Sequence, residues 1–114
     1  MALAPGDHLA TLREGGVVKP SELLEDPGAW CQEWPAMTAQ DIGCPVDVDR
    51  AVKWSIDGAL NRCTETQEAY DAALLAVCTA IGKPGWGADQ LADWNDAPDR
   101  THREVIEVLK RAGL

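Results

Sequence analysis

The stretch Trp94-Asn95-Asp96-Ala97-Pro98-Asp99-Arg100-Thr101-His102-Arg103-Glu104-Val105 decides how this chain reads. A dense polar cluster stands directly ahead of Val105, Ile106, Val108, Leu109 and Ala112, which fall largely on the i, i+3, i+4, i+7 pattern of a packed helix. The spacing predicts a helix over residues 101–112. Its start has a local explanation, because Thr101-x-x-Glu104 is a capping box. In that motif the Thr hydroxyl accepts the N–H of Glu104, and the Glu carboxylate accepts the N–H of Thr101. Asp99 is an alternative cap, and an acid there suits the positive end of the helix dipole. Asn95 and Asp96, ahead of Pro98, are turn formers whose side chains close Asx-turns. Arg100 has acidic neighbours to pair with.

The same atoms also permit chemistry. His102 offers an imidazole for general acid–base work, Asp96 can orient it, and Asn95 can offer an amide to a substrate oxygen. Set against Cys31, they would form the Cys-His-Asn arrangement of a thiol hydrolase. Cys31, Asn95, Asp96 and His102 are therefore the candidate catalytic residues. Cys31 is one of four thiols, however, and no Gly-rich elbow or oxyanion loop accompanies it. The cap is the favoured reading.

Working outward, two central helices carry the strongest periodicity. Over residues 47–63, Val48, Val52, Ile56, Ala59, Leu60 and Cys63 share one face. Trp54 falls on the polar side, where a segment of the same chain is expected to cover it in preference to a partner. Gly58 would let that covering backbone come close, at a cost of ~1 kcal/mol in helix propensity relative to Ala. Over residues 66–81, Tyr70, Leu74, Val77, Cys78 and Ile81 form a core stripe among many alanines. So apolar a helix is expected to be the most buried element. Gly82-Lys83-Pro84-Gly85 stops it, and residues 88–94 add one or two more turns.

The amino-terminal part is weaker in signal. Residues 7–14 are expected to form a short helix closed by Gly15-Gly16, and residues 20–26 another, ended by Pro27-Gly28. The Trp-rich stretch Ala29-Trp30-Cys31-Gln32-Glu33-Trp34-Pro35 has no regular period. Its backbone groups need partners if buried, and Asn95, Asp96 and Arg100 are the richest supply. The segment around Trp30-Cys31-Gln32 is thus expected to pack beside the turn 94–100. Residues 36–46 read as a loop or small hairpin, with Pro45 confining any strand to an edge. No other strand-like stretch is apparent.

At 114 residues, with 46% hydrophobic and 25% charged side chains, the composition is that of one globular domain. Residues 1–19 are a candidate for a loosely packed end of it. Five Trp, one Tyr and no Phe make indole the main large ring, and at least one Trp is expected at a surface. The net charge is −9, divided as −11 over the first ninety-nine residues and +2 over the last fifteen. An acidic body argues against direct nucleic-acid binding, which needs clustered Lys and Arg. The amino end lacks the basic flank and apolar run of a signal peptide, and no stretch approaches a membrane span, so the expected compartment is the cytoplasm.

Cys31, Cys44, Cys63 and Cys78 lack any C-x-x-C spacing and read as small buried hydrophobes or free thiols. Glu65, Glu68 and Asp71 share a helix face, but with no Glu-x-x-His beside them they read as a solvated face. His8, near the amino end, says little. No Gly-x-Gly-x-x-Gly, P-loop or His-Glu-x-x-His is present, and no cofactor or metal is expected.

Three blocks carry a family likeness. They are Glu22-Leu23-Leu24 through Asp26-Pro27-Gly28-Ala29-Trp30-Cys31-Gln32, then Ala51-Val52-Lys53-Trp54-Ser55-Ile56-Asp57-Gly58-Ala59-Leu60, then Asn95 through Val105. Over roughly residues 22–112 the chain resembles a small family of bacterial and phage proteins classed as a domain of unknown function. Its pattern includes a Trp-x-Gln block, a Trp-Cys-x-x-Gly-Ala-Leu helix and an Asn-Asp-x-x-x-Arg-Thr-x-x-Glu-Val close. The chain departs at Ser55, where the pattern often has Cys. The resemblance implies a helical domain and brings no assigned activity.

The expected architecture is mostly α: a compact single-domain helical bundle with an irregular Trp-rich segment and at most a small hairpin. The expected function is that of an acidic cytoplasmic protein acting as a non-enzymatic interaction or accessory module, with a protein partner or as a homodimer. Trp34 and Trp54 are the candidate interaction residues, and neither membrane nor nucleic acid is an expected partner. Two alternatives stand beside it. One is a small hydrolase or ligand-binding enzyme using Asn95, Asp96 and His102; the other is an acidic phage-type inhibitor that mimics nucleic acid.

Overall fold

The computed structural model describes residues 18–114. The expected helix over 7–14 and His8 lie outside them. Among the described residues five helices follow in order: α1 (Pro20–Leu23), α2 (Ile56–Cys63), α3 (Gln67–Ile81), α4 (Ala88–Asn95) and α5 (His102–Arg111). Between α1 and α2 the chain makes a 3-10 turn (Pro27–Ala29) and two strands of two residues each, β1 (Ala36–Met37) and β2 (Lys53–Trp54). The strands pair antiparallel, Ala36 with Trp54 and Met37 with Lys53. The mostly α architecture with a minimal sheet is as the sequence predicts.

Local signals place the helix ends. Thr66 caps α3 by accepting the N–H of Ala69, and Gly82 closes it in the left-handed region at φ 96°. Lys83 N–H then reaches back to the Cys78 carbonyl at 2.8 Å, a Schellman-type close. The Thr101–Glu104 capping box opens α5, with Glu104 N–H on Thr101 Oγ1 at 3.2 Å and Thr101 N–H on Glu104 Oε1 at 2.9 Å.

The helix expected over 47–63 is shorter than its periodicity suggests. Residues 47–50 are turns and bends, residues 51–52 are irregular and residues 53–54 are strand. Two non-local contacts hold the Trp54 backbone extended: its carbonyl accepts the N–H of Cys31 at 3.0 Å, and the residue pairs with Ala36. Ser55 then caps α2, its Oγ accepting the N–H of Gly58 at 2.9 Å. Trp54 is not on a polar helix face. Its ring is buried, and the indole donates to the Val46 carbonyl at 2.9 Å.

Pro27-Gly28 likewise does not end a helix; it opens the 3-10 turn, with Gly28 N–H on the Asp26 carboxylate at 2.9 Å. Residues 36–44 do fold back as a small hairpin, through Thr38 N–H to the Ile42 carbonyl and Cys44 N–H to the Ala36 carbonyl.

The core gathers around α2, whose Ile56, Ala59 and Leu60 are fully buried with Leu24, Val77, Leu91, Val105 and Leu109. Helix α3, expected from its composition to be the most buried element, is not. Only Ala73, Val77 and Cys78 are buried along it, and Leu75 is exposed. Helices α2 and α5 pack against one side of α3 alone. The most deeply buried helix is α2, which packs against α1, α3 and α4.

The alanines of α2 and α3 are not equivalent to the one glycine of α2. A Cβ on Gly58 would lie 1.9 Å from the Pro35 carbonyl oxygen. The backbone of the irregular segment therefore lies directly on α2, as Gly58 led us to expect, and the same segment reaches Trp54 through the Cys31 N–H, so Trp54 is covered by its own chain.

Candidate functional site

The Trp-rich segment has no ladder or helix to satisfy it, and Asn95 supplies what is missing. This side chain, at the carboxyl end of α4, is fully buried. Its Oδ1 accepts from Trp30 Nε1 at 2.8 Å and from the Ile56 main-chain N–H at 3.0 Å. Its Nδ2 donates to the Cys31 carbonyl at 3.1 Å and to Asp96 Oδ1 at 2.9 Å. All four hydrogen-bonding positions of the amide are filled. One residue thus ties the irregular segment, the first turn of α2 and the end of α4 together.

A second layer repeats the connection. Gln32 Nε2 donates to the carbonyls of Asn95 and Ala97, both at 2.9 Å. The main-chain N–H of Glu33 donates to Asp96 Oδ1, also at 2.9 Å. The expectation that residues 30–32 pack beside the turn 94–100, with Gln32 or a main-chain group bonded to Asn95 or Asp96, is met. Arg100 completes the turn: its Nε donates to the Trp94 carbonyl at 2.8 Å, and its guanidinium lies 3.9 Å from the centre of the Trp94 ring.

From this anchor the chain emerges to the surface. Glu33 adopts a left-handed backbone at φ 77°, uncommon for a residue with a Cβ, and the Asp96 contact holds it there. The next residue, Trp34, is 53% exposed. Its ring nonetheless lies flat on backbone, because a Cβ on Gly43 would sit 2.5 Å from Trp34 Cε3. Glu33, Trp34, Ser55, Asp57 and Asp96 line a cleft of about 100 Å³. That is room for a few waters or one side-chain tip, well below the volume usual for a small-molecule site.

Asp57 on that cleft accepts a hydrogen bond from Tyr70 Oη. Burial raises its carboxyl above the usual range, and the Tyr70 bond offsets part of that rise. Burial and the Asp57 carboxylate together push the Tyr70 hydroxyl upward.

The candidate catalytic set is not brought together as one unit. Asn95 and Asp96 join each other and the Trp-rich segment, whereas His102 turns away. Its Nε2 lies 2.6 Å from the Leu24 carbonyl, where a protonated nitrogen must be the donor. The other side of His102 faces an open groove of about 750 Å³ between α1 and α5, with Ser21, Glu25, Arg103, Ile106 and Lys110.

Cys31 meets Asn95 through its carbonyl, not its sulfur. The thiol is 3.5 Å from the Trp34 carbonyl, and burial, with Asp96 adding a lesser contribution, pushes it up to about 12. A thiol so raised stays protonated at neutral pH, the wrong form for a nucleophile. Among the described residues no cluster of three or more His, Cys, Asp or Glu has the geometry to hold a metal ion.

Of the two candidate interaction residues, Trp34 is at the surface and Trp54 is in the core, 7% exposed. They do not share a face, because β-pairing turns Trp54 inward. Sequence reasoning missed Glu33, Asp57 and Pro35. Gly58 was the one available signal for Pro35, since a mid-helix glycine marks close backbone approach.

Residues 20–113 match the model of a Family of unknown function (DUF6197). The match covers most of the chain, which therefore belongs to that family. No curated protein and no solved structure matches the chain significantly. Among the described residues no helix is long and apolar enough to cross a membrane.

Proposed function

We propose that this member of the family is an interaction module that presents Trp34, with the acidic cleft beside it, to a protein partner carrying a basic side chain. One observation carries this reading: Trp34 is exposed and yet fixed. Its ring rests on the Gly43 backbone, its preceding residue is bonded to Asp96, and Asp96 is bonded to the fully buried Asn95. A large ring held in place before binding loses little entropy when it is covered. Tryptophans of this kind dominate interface energetics.

The cleft suits a single cationic tip. Glu33, Asp57 and Asp96 surround it, and a guanidinium or ammonium entering there would also meet the face of an indole. The −9 net charge would steer a basic partner towards the whole body of the protein. The reading requires no catalysis, in keeping with a protonated Cys31 and a His102 bonded to Leu24.

Selection of a displayed peptide library on the immobilised protein tests this. Selected peptides are expected to carry Arg or Lys beside an apolar residue. Their affinity should fall about thirtyfold in Trp34→Ala, equivalent to the ~2 kcal/mol of a hot-spot residue. A smaller loss is expected in Glu33→Gln. Binders indifferent to Trp34→Ala would overturn the reading.

A further inference from the structure

The hairpin over residues 36–44 leaves one edge of the small sheet open. Met37 turns its carbonyl towards β2, where it accepts the N–H of Val52 at 3.0 Å. On its other side Met37 faces Gly43 in an antiparallel bridge. The bonds that close this bridge belong to the neighbours: Thr38 N–H to the Ile42 carbonyl at 2.9 Å, and Cys44 N–H to the Ala36 carbonyl at 3.0 Å. In such a pair the N–H and carbonyl of the central residue point away from the facing strand. Gly43 therefore turns both groups outward, and among the described residues neither takes part in a hydrogen bond.

The open stretch is short. Asp41, with a left-handed backbone at φ 63°, ends it on one side, and Pro45, with no N–H to give, ends it on the other. It can hold one residue of an extended chain, exchanging N–H and carbonyl with Gly43 as a narrow antiparallel pair. Side chains directly opposite in such a pair share a face. At Gly43 that face belongs to the Trp34 ring, which a Cβ there would meet. Successive side chains alternate, so the neighbours of the paired residue fall on the face of Ile42, which is 62% exposed.

We infer that the partner adds a short extended strand to this edge, with a basic side chain opposite Gly43 and an apolar side chain beside it over Ile42. The inference rests on the Trp34 reading above for the partner's charge, and it names the backbone form that partner takes. Trp34 borders both the open edge and the cleft of Glu33, Asp57 and Asp96. A Lys or Arg stem lying along the indole leads from one to the other.

Charge disfavours a second copy as the occupant. Residues 41–49 carry Asp41, Asp47 and Asp49 and no basic residue. The Lys53 ammonium on the neighbouring strand is already paired with Asp41. Two such edges laid together would oppose like charges, whereas a basic strand complements them.

N-methylation walked along the tightest-binding selected peptide, with hydrogen exchange followed at each protein amide, is the experiment. Methylation at the basic residue should weaken binding about tenfold, the scale of one main-chain hydrogen bond, and methylation at either neighbour less than about twofold. The Gly43 amide should exchange more slowly in the complex. Ile42→Ala should weaken binding about threefold and leave the melting temperature near wild type, because Ile42 is exposed. Peptides that lose affinity in Trp34→Ala but tolerate methylation at every position, or leave Gly43 exchange unchanged, would overturn strand addition while the Trp34 reading stands. Peptides that need the N–H of one residue and protect Gly43, yet ignore Trp34→Ala, would support strand addition and overturn the Trp34 reading alone. A library that yields no binder would overturn both.

Discussion

Trp30 Nε1 donates to Asn95 Oδ1 at 2.8 Å across 65 positions of sequence. The same oxygen caps the first N–H of α2, and the amide nitrogen holds the Cys31 carbonyl. Asn95→Ala would leave the Trp30 and Ile56 donors and the Cys31 acceptor buried and unpaired. Each such group costs ~1–3 kcal/mol, so a loss of at least ~3 kcal/mol is expected in urea unfolding. Asn95→Asp should be no milder, since it sets a carboxylate against the Cys31 carbonyl and Asp96. A loss under ~1 kcal/mol would show that the network is not a structural hub.

Gly58→Ala sets two effects in opposition. Helix propensity favours Ala by ~1 kcal/mol, but its Cβ would sit 1.9 Å from the Pro35 oxygen. The segment around Pro35 must move, and Ser55 N–H, bonded to that same oxygen at 3.1 Å, must move with it. A net destabilisation of ~2 kcal/mol or more is expected from overpacking against backbone. A raised melting temperature would contradict the close approach.

Thr101→Ala should cost ~1 kcal/mol, the usual loss for an N-cap hydroxyl. Its partner adds a pH dependence. The Thr101 main-chain N–H, with the Thr101 hydroxyl and Arg100, holds the Glu104 carboxyl below its usual range. The fold therefore favours the ionised form. Its contribution is complete above the unfolded-state pKa and fades as pH falls through the lowered folded value. The gap in melting temperature between wild type and Glu104→Gln should be present at neutral pH and close in acid. A gap that widened in acid would reverse the assignment.

All four cysteines are free thiols, and burial pushes Cys31 up to about 12 and Cys63 to about 11. A thiol reagent at mildly alkaline pH should react slowly with the native protein and find four thiols once it is unfolded without reductant. Rapid labelling of Cys31 in the native state would mean that the segment 30–34 opens readily.

What could be read from the sequence is what short-range chemistry determines. Thr66, Gly82 and the Thr101–Glu104 pair mark helix ends with atoms only a few residues apart, so α3 starts and stops, and α5 starts, where they dictate. The contact between Gln32 and the turn after α4 was also legible, because an irregular segment has donors to satisfy and only one polar cluster was rich enough to do so. Trp54 was not legible. The apolar period runs on through Val48 and Val52 into α2, and only the pairing with Ala36 and Cys31 shows that the backbone there is extended. The exposure of α3 was hidden for a related reason: alanine costs little on either side of a helix, so composition does not reveal how many neighbours cover it. His102 looked like a companion of Asn95 because they are close in sequence, yet α5 carries its ring to Leu24.

The anchoring of residue 30 by residue 95 also sets a timetable. A chain made from its amino end displays Trp30, Cys31 and the first turn of α2 long before Asn95 exists, and until then water must serve those groups. Helices α2 and α3 contain their own hydrogen bonds and can form early, because local contacts close quickly. The Trp-rich segment has no such option and must await closure of the long loop to α4. A protein built largely of local helices thus reaches its final form on the schedule of contacts that local helices cannot make.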